Sequence, residues 1–209
     1  MKILAVSDRV MDRLYSGQAR QFYPDVDLLV GCGDLPFYYL DFLTSAFNVP
    51  LYYVRGNHDG GPQYSADGRV WSEARGGADI HGKVMMHRGL ILAGFQGSMR
   101  YKAHGEYLYS ESEMRMTVAQ IVPRLLWNRR RFGRALDILV THSPPYGIQD
   151  RSDLAHTGFK VFLSFLRMFK PRYHLHGHIH VYRQDETVVT RYEKTEVINV
   201  YPYRLLEID

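Results

Sequence analysis

The 209-residue chain contains a single cysteine, Cys32, so it cannot form an internal disulfide bond. A reducing cytoplasm is therefore the expected location. No stretch approaches the roughly 18 consecutive apolar residues that a membrane-spanning helix needs. Charged residues also appear at Asp8 and Arg9, too early for the apolar region of a signal peptide. We therefore expect neither secretion nor a membrane partner.

The chain also lacks repeats, low-complexity linkers and a large excess of one charge. Lys and Arg number 26 and Asp and Glu 22, so the net charge is +4. This small positive charge is compatible with anionic ligands but does not by itself indicate them. Apolar residues make up 45% of the chain, a proportion typical of globular proteins. We expect one domain spanning residues 1–209. The distribution of histidine is unusual, because four of the ten histidines lie within the seven positions from His174 to His180.

Five short apolar runs predict buried strands, and each ends in Gly, Asp, Asn or His. They cover residues 2–7, 27–30, 51–54, 137–140 and 173–176. Helical patterns lie between them at residues 36–47, 157–170 and after a capping box at Ser110–Glu113. This alternation of strand and helix predicts an α/β fold whose sheet is covered on both faces.

The remaining segments predict antiparallel strands and one long loop. Residues 83–87 and 90–93 resemble a hairpin around Arg88 and Gly89. Three closing antiparallel strands are expected at residues 187–192, 195–200 and 203–208, and a surface loop at the glycine-rich residues 60–77.

Polar residues with metal-binding side chains follow the predicted strands. They are Asp8, Asp34, Asn57, His58, His142, His178 and His180. The carboxyl ends of parallel strands meet at one edge of a sheet, where ligand sites form. Carboxylate, amide oxygen and imidazole are ligands that Mn, Fe or Zn accept, and the absence of thiolates excludes a cysteine-type structural zinc site. A metal site at this edge is therefore predicted.

The ordered motifs resemble those of the calcineurin-like metallophosphoesterase superfamily. They are Asp8, Gly33-Asp34, Gly56-Asn57-His58-Asp59, Thr141-His142 and Gly177-His178-Ile179-His180, so they cover most of the chain. The resemblance implies a four-layer α/β/β/α sandwich. It also implies a hydrolase that cleaves phosphate esters with two divalent metal ions (Mn, Fe or Zn), through attack by a metal-bound hydroxide.

The resemblance also implies roles for individual residues. Asp34 would bridge both metal ions; Asn57, His142 and His178 would complete one site, and Asp8 with His180 would serve the other. His58 adjoins a ligand and is the candidate catalytic residue, which would stabilise charge or protonate the leaving oxygen. Candidate substrate-binding residues are Asn57, His58 and His156.

The chain departs from the family pattern in two places. The usual Asp-x-His motif reads Asp8-Arg9-Val10, so we expect the Asp8/His180 site to be weak or empty unless His156 or Asp150 substitutes. Phe37 and Tyr38 stand where protein phosphatases of this superfamily have Asp and Arg. This second departure favours phosphodiesters over phosphoproteins as substrates.

Two other functions remain open at this stage. A nuclease would use a basic cluster at a helix end, although such a cluster also suits a solvated face that complements the helix dipole; it comprises Arg124, Arg129, Arg130, Arg131 and Arg134. The second is a metal-binding protein with weak catalytic activity, because Val10 replaces the histidine ligand of the family motif. The loop that carries Tyr101, Tyr107 and Tyr109 could border the site, but a core or loop-anchoring role is the expectation for these tyrosines. His174 and His176 are expected to be structural or to support the ligands.

Overall fold

The computed structural model describes residues 1–64, 68–183 and 185–208. In this part of the chain the elements are, in order, β1 (Lys2–Val6), α1 (Ala19–Phe22), β2 (Leu28–Cys32), α2 (Phe37–Phe47), β3 (Leu51–Val54), β4 (Gln63–Tyr64), β5 (Val70–Trp71), β6 (Gly77–Asp79), β7 (Lys83–His87), β8 (Leu90–Phe95), β9 (Ser98–Met99), β10 (Leu108–Tyr109), α3 (Glu111–Phe132), β11 (Ile138–Thr141), α4 (Lys160–Phe169), β12 (Tyr173–His176), β13 (Val189–Tyr192), β14 (Thr195–Asn199) and β15 (Tyr203–Glu207). None of the described helices is long and apolar enough to cross a membrane.

Two sheets contain most of these strands. The first has the order β15-β1-β2-β3-β6, in which only β15 runs antiparallel to its neighbour. The second has the order β13-β14-β12-β11-β8-β7, with four parallel central strands and an antiparallel strand at each edge. The five predicted apolar runs are thus divided, three in the first sheet and two in the second.

Three apolar clusters separate the molecule into layers. Alternate residues of β1 serve different clusters, because successive side chains of a strand point to opposite faces. Ile3 packs between the two sheets with Val140 and Leu175, whereas Leu4 packs under α2 with Leu40. The third cluster joins the second sheet to the helices α3 and α4. This order of helices, sheet, sheet and helices agrees with the four-layer sandwich that the family resemblance implies.

The two long helices of the second helical layer begin at identifiable caps. The predicted capping box at Ser110 and Glu113 is present, and α3 continues through Pro123 to a left-handed Gly133. The carboxylate of Glu111 accepts hydrogen bonds from the backbone N–H groups of Lys160 and Val161, at 3.0 and 2.7 Å. The first turn of α3 therefore caps α4.

Two expectations about the irregular segments are wrong in part. Strand β14 is antiparallel to β13 but parallel to β12, because it enters the interior of the second sheet instead of closing its edge. The predicted loop at residues 60–77 contains the short antiparallel pair of β4 and β5, and its last residue begins β6. Residues 65–67 of that loop lie outside the described part of the chain.

Candidate metal centre

Side chains from both sheets meet beyond the carboxyl ends of their parallel strands. Residues 8, 34 and 57 follow β1, β2 and β3 of the first sheet, whereas residues 142, 178 and 180 follow β11 and β12 of the second. They surround or adjoin a cavity of about 370 Å³ that is lined by Asp8, Asp34, Asn57, His58, Tyr101, Ala155, His156, His178 and His180. Among the six predicted ligands, the acidic and amide groups therefore follow strands of the first sheet, and the imidazoles follow strands of the second.

Four of the six predicted ligands form a tight group. One donor atom from each of Asp34, His142 and His178 lies within 4.8 Å of the other two. The Oδ1 atom of Asn57 lies 3.0 Å from Nε2 of His142, and Oδ2 of Asp34 lies 3.4 Å from the same nitrogen. The remaining two are also neighbours, since Oδ1 of Asp8 lies 3.5 Å from Nε2 of His180.

Backbone carbonyl groups fix both buried rings of this group. Nδ1 of His142 lies 2.8 Å from the carbonyl oxygen of Cys32, to which it donates. Nε2 of His178 lies 2.8 Å from the carbonyl oxygen of Ala155. One nitrogen of each ring is thereby engaged, and Nε2 of His142 and Nδ1 of His178 are left as donor atoms for a metal. Two imidazoles, a carboxylate and an amide oxygen fit a divalent Mn, Fe or Zn ion.

The electrostatics of the group place a proton where a metal ion would bind. Burial lowers the pKa of His142, but the neighbouring Asp34 carboxylate outweighs that effect and raises it to about 9. Burial raises the pKa of Asp34, but His142 and the backbone N–H of His58 bring it down to about 2. Nε2 of His142 thus holds a proton beside a carboxylate, at a place where a metal ion would compete with that proton. Burial keeps His178 neutral by lowering its pKa.

Three of the predicted ligands have a left-handed backbone conformation that residues other than glycine rarely adopt. The φ angles are 61° at Asp8, 55° at Asp34 and 67° at His178. Such a conformation costs about 1–3 kcal/mol and persists only where other interactions hold it. Here the carboxylate of Asp8 accepts hydrogen bonds from the backbone N–H of His178, at 2.9 and 3.1 Å, and from the hydroxyl of Ser7. These hydrogen bonds hold the backbone turns at Asp8 and His178 against each other.

Two motif glycines are needed because the ligands approach the backbone closely. A Cβ atom on Gly56 would overlap the carboxylate of Asp34, and one on Gly177 would overlap the side chains of Ser7 and Asp8. Larger residues at either position would displace a carboxylate of the site. This explains why glycine precedes both the Asn57 and the His178 ligand.

Asp59 supports the backbone of the site. Its Oδ2 atom accepts hydrogen bonds from the backbone N–H groups of Gly56 and Asp34, at 2.7 and 2.9 Å. Burial, reinforced by the Asp34 charge, raises the pKa of Asp59 to about 7. His58 itself is exposed and faces the cavity, and its backbone N–H donates to Oδ1 of Asp34 at 2.8 Å.

The structure also places the residues around the missing histidine. Val10 packs against the apolar cluster beneath α2, and a carboxylate oxygen of Asp150 accepts from the backbone N–H of Gly158 at 3.0 Å. His156 does line the cavity, with its ring centroid 5.1 Å from that of His178. Its Nδ1 lies 2.7 Å from a carboxylate oxygen of Asp153. Of the two candidate substitutes, His156 is the one at the cavity.

Two tyrosines that sequence reasoning missed contact His180. The ring of Tyr201 stacks on the imidazole at a centroid distance of 4.5 Å, and the hydroxyl of Tyr182 lies 2.9 Å from Nδ1. Tyr201 follows the apolar run at residues 195–200, so its position after a strand is the available signal. Tyr101, for which a core or loop-anchoring role is expected, lines the cavity, as the alternative interpretation of its loop predicts.

Other candidate residues lie away from the described cavity. His174 and His176 are fully buried and hydrogen-bonded to Thr141 and Gln149. Arg134, at the end of the basic cluster, pairs with Asp137 at 2.6 Å, immediately before β11 begins. His142 follows the other end of that strand. The basic cluster therefore extends away from the cavity, toward the amino end of β11.

Comparisons with known proteins identify the fold and the family of the chain. A solved structure aligns with a TM-score of 0.62 at 16% identity, covering 95% of this chain and 90% of its own. The crystal structure of TT1561 of Thermus thermophilus aligns with a TM-score of 0.59 at 16% identity, covering 95% of this chain and 88% of its own. These two similarities show the fold. No curated protein sequence matches the chain. The model of the family described as calcineurin-like phosphoesterase matches residues 4–182, and the chain therefore belongs to that family.

Proposed function

We propose that the chain hydrolyses phosphodiesters at the described cavity with the help of two divalent metal ions, Mn, Fe or Zn. Membership of the family supports the general activity of a metal-dependent phosphoesterase. The observation that carries the proposal is the meeting of donor side chains from five strand ends at one cavity. We further propose that residues 1–209 form one domain, because both sheets share an apolar cluster.

The proposed division of ligands is the one that the family resemblance implies, and the contacts of Asn57 with His142 and of Asp8 with His180 support it. Asn57, His142 and His178 would hold one ion, Asp8 and His180 the other, and Asp34 would contact both. Divalent ions in such a site neutralise phosphoryl oxygens and lower the pKa of bound water. The carbonyl contacts of His142 and His178 support this assignment, because they orient the rings before any ion binds.

His58 is proposed as the catalytic residue. Its side chain is exposed at the cavity, and its backbone N–H is tied to Oδ1 of Asp34. An imidazole in this place can donate a hydrogen bond to a phosphoryl oxygen or a proton to the departing oxygen. Such proton transfer typically contributes about 10²–10⁴-fold to a rate. His156, which also lines the cavity and pairs with Asp153, is proposed to contact the substrate.

The side chains around the cavity favour a singly charged substrate. No Arg or Lys is among the described residues that line it. Phe37 is buried in the cluster beneath α2 and begins that helix, so this position offers apolar packing in place of a charged contact. A phosphomonoester carries nearly two negative charges, whereas a diester carries one. A cavity that offers histidines and metal ions, but no Arg or Lys side chain, therefore suits a diester better than a monoester.

A metal and substrate panel tests the proposal. Purified protein would be analysed for bound metal and assayed on bis-p-nitrophenyl phosphate and p-nitrophenyl phosphate with Mn, Fe, Zn and Mg. We expect Mn- or Fe-stimulated hydrolysis that favours the diester and disappears in Asn57→Ala. A preference for the monoester would contradict the substrate assignment, and activity without bound metal would contradict the mechanism.

One observation favours a second function, that of a metal-binding protein with little activity. Val10 is partly buried against the apolar cluster beneath α2 and offers no ligand, so the Asp8 half of the centre has one imidazole fewer than the family pattern. This alternative predicts bound metal without hydrolysis under any ion. Val10→His would then restore turnover, whereas the enzyme proposal predicts turnover in the unmodified chain. A nuclease has no comparable support, because the basic cluster lies away from the cavity.

A further inference from the structure

The outer surface of the second helical layer combines exposed apolar side chains with basic residues. We call it the α3–α4 face and define it by Met116, Leu126, Trp127, Arg130, Arg131 and Met168. All six side chains are exposed. The face lies on the opposite side of α3 and α4 from the cluster that packs them onto the second sheet.

The segments that form this face have a net positive charge, whereas the rest of the chain has a net negative charge. Residues 111–136 and 157–172 contain ten Lys and Arg but only two acidic residues, whereas the rest of the chain has sixteen Lys and Arg against twenty Asp and Glu. Both acidic residues are engaged: Glu113 with Arg100 at 2.8 Å, and Glu111 with the first N–H groups of α4. The face is therefore basic on a molecule that is otherwise acidic.

The same face exposes large apolar side chains. Met116 is 61% exposed, Met168 58%, Leu126 50% and Trp127 48%. On α3, Met116, Pro123 and Trp127 recur at intervals of seven and four residues, which places them on one stripe of the helix. The buried stripe uses other positions, such as Met114 and Val118. The packing of α3 onto the sheet thus leaves this second apolar stripe uncovered.

We propose that the α3–α4 face docks on the surface of an anionic phospholipid bilayer. Guanidinium groups pair with phosphate, and a helix that combines basic residues with Trp, Leu and Met lies in the interface of such a membrane. A second copy of the chain would bring two strongly basic faces together. Nucleic acid would use the arginines but leave Met116, Leu126 and Met168 without apolar partners. The proposal changes the expectation of no membrane partner, since a protein can bind a membrane surface without spanning it.

Vesicle binding by the full chain tests the proposal directly. The protein would be sedimented with phosphatidylcholine vesicles and with the same vesicles containing phosphatidylglycerol. In a Trp71→Phe background, Trp127 is the single tryptophan and its emission reports on the face. We expect binding to the anionic vesicles only, a blue shift of the Trp127 emission, and weakening at high salt because screening shortens the reach of the charges.

Charge-matched variants locate the contact. Arg130→Glu with Arg131→Glu is expected to weaken binding by roughly 30-fold or more, because each basic residue near an anionic surface contributes to attraction. Arg13→Glu with Arg20→Glu changes the net charge equally at exposed positions in and just before α1, and this variant is expected to retain binding. Leu126→Ser with Trp127→Ser should also weaken binding. Circular dichroism and hydrolysis of a soluble phosphodiester verify that each variant is folded.

Four results would overturn the proposal. They are no sedimentation with anionic vesicles, an equal loss of binding in the control variant, tighter binding to DNA or RNA than to vesicles at the same salt, and self-association that buries Trp127. Because sedimentation does not depend on turnover, these results are separable from a failure of the proposed hydrolysis.

Discussion

The two halves of the candidate metal centre differ in how firmly their imidazoles are held. His142 is fully buried and His178 nearly so, and a backbone carbonyl fixes each ring. The side chain of His180 is 42% exposed, and its Nδ1 contacts the exposed Tyr182. Since immobilising a side chain costs conformational entropy, the half that is already ordered should bind its ion more tightly. Burial and ring orientation therefore distinguish the halves, in addition to the ligand that is missing at Val10.

The largest expected effect comes from removing the most buried imidazole. His142→Ala should eliminate bound metal from the ordered half and abolish hydrolysis, because it deletes a ligand and leaves Asp34 without its main partner. Elemental analysis and turnover of a soluble diester measure both effects. His104→Ala is the matched control, since His104 is exposed and lies outside the described cavity lining. Retention of metal by His142→Ala would contradict the assignment of the ordered half.

His58→Ala separates catalysis from metal binding, because His58 belongs to neither half. The rate should fall by about 10²–10⁴-fold, in the range that loss of proton transfer typically causes. Metal content should remain that of the unmodified protein, since the hydrogen bond from His58 to Asp34 comes from the backbone N–H, which the substitution keeps. Loss of metal in this variant would show that His58 is a ligand and that the division of roles is wrong.

His176 is fully buried but is not a predicted ligand, so it shows the effect of burial on a histidine without the effect of metal binding. Burial lowers the pKa of His176 to about 4. Below pH 6.5 the unfolded chain therefore binds a proton at this side chain, whereas the folded chain binds it only near pH 4. The resulting stabilisation is complete above pH 6.5 and declines as the pH falls toward 4. Between pH 7 and pH 5 this amounts to about 2 kcal/mol. Urea unfolding in the presence of a chelator measures it.

His176→Gln provides the comparison for that measurement. The unmodified protein should lose about 2 kcal/mol more stability than the variant between pH 7 and pH 5. The difference between the two proteins is needed because Asp59 and His142, whose pKa values are raised, act in the opposite direction. Equal losses in both proteins would mean that His176 is not a source of the pH dependence.

The smallest effect is expected at the exposed half of the centre. Tyr182→Phe removes the hydroxyl next to Nδ1 of His180 and should weaken the second ion by about tenfold, the lower end of the range for partners of ligating histidines. Titration of the metal-free protein with Mn resolves the two binding steps. The tighter step should not change. An equal effect on both steps would remove the distinction between the halves.

Sequence patterns anticipate the positions that depend on local chemistry. Asp8, Asp34 and Asn57 each follow an apolar run, and the capping box at Ser110 is a local signal. The α/β sandwich comes from the family resemblance and is confirmed. The parallel pairing of β14 with β12 could not be foreseen, because pairing depends on contacts between distant segments. The same reason hides Tyr182 and Tyr201, whose importance lies in contacts with His180 that only the fold creates.

The division of ligands between the sheets has a consequence for assembly of the molecule. Residues 8, 34 and 57 belong to the first sheet and residues 142, 178 and 180 to the second, so neither sheet alone offers a complete site. A refolding chain can therefore acquire its full ion affinity only after the two sheets have met. Ions bound at this seam would hold the native arrangement against separation of its halves. The rate of metal binding during refolding therefore reports the rate at which one sheet docks on the other.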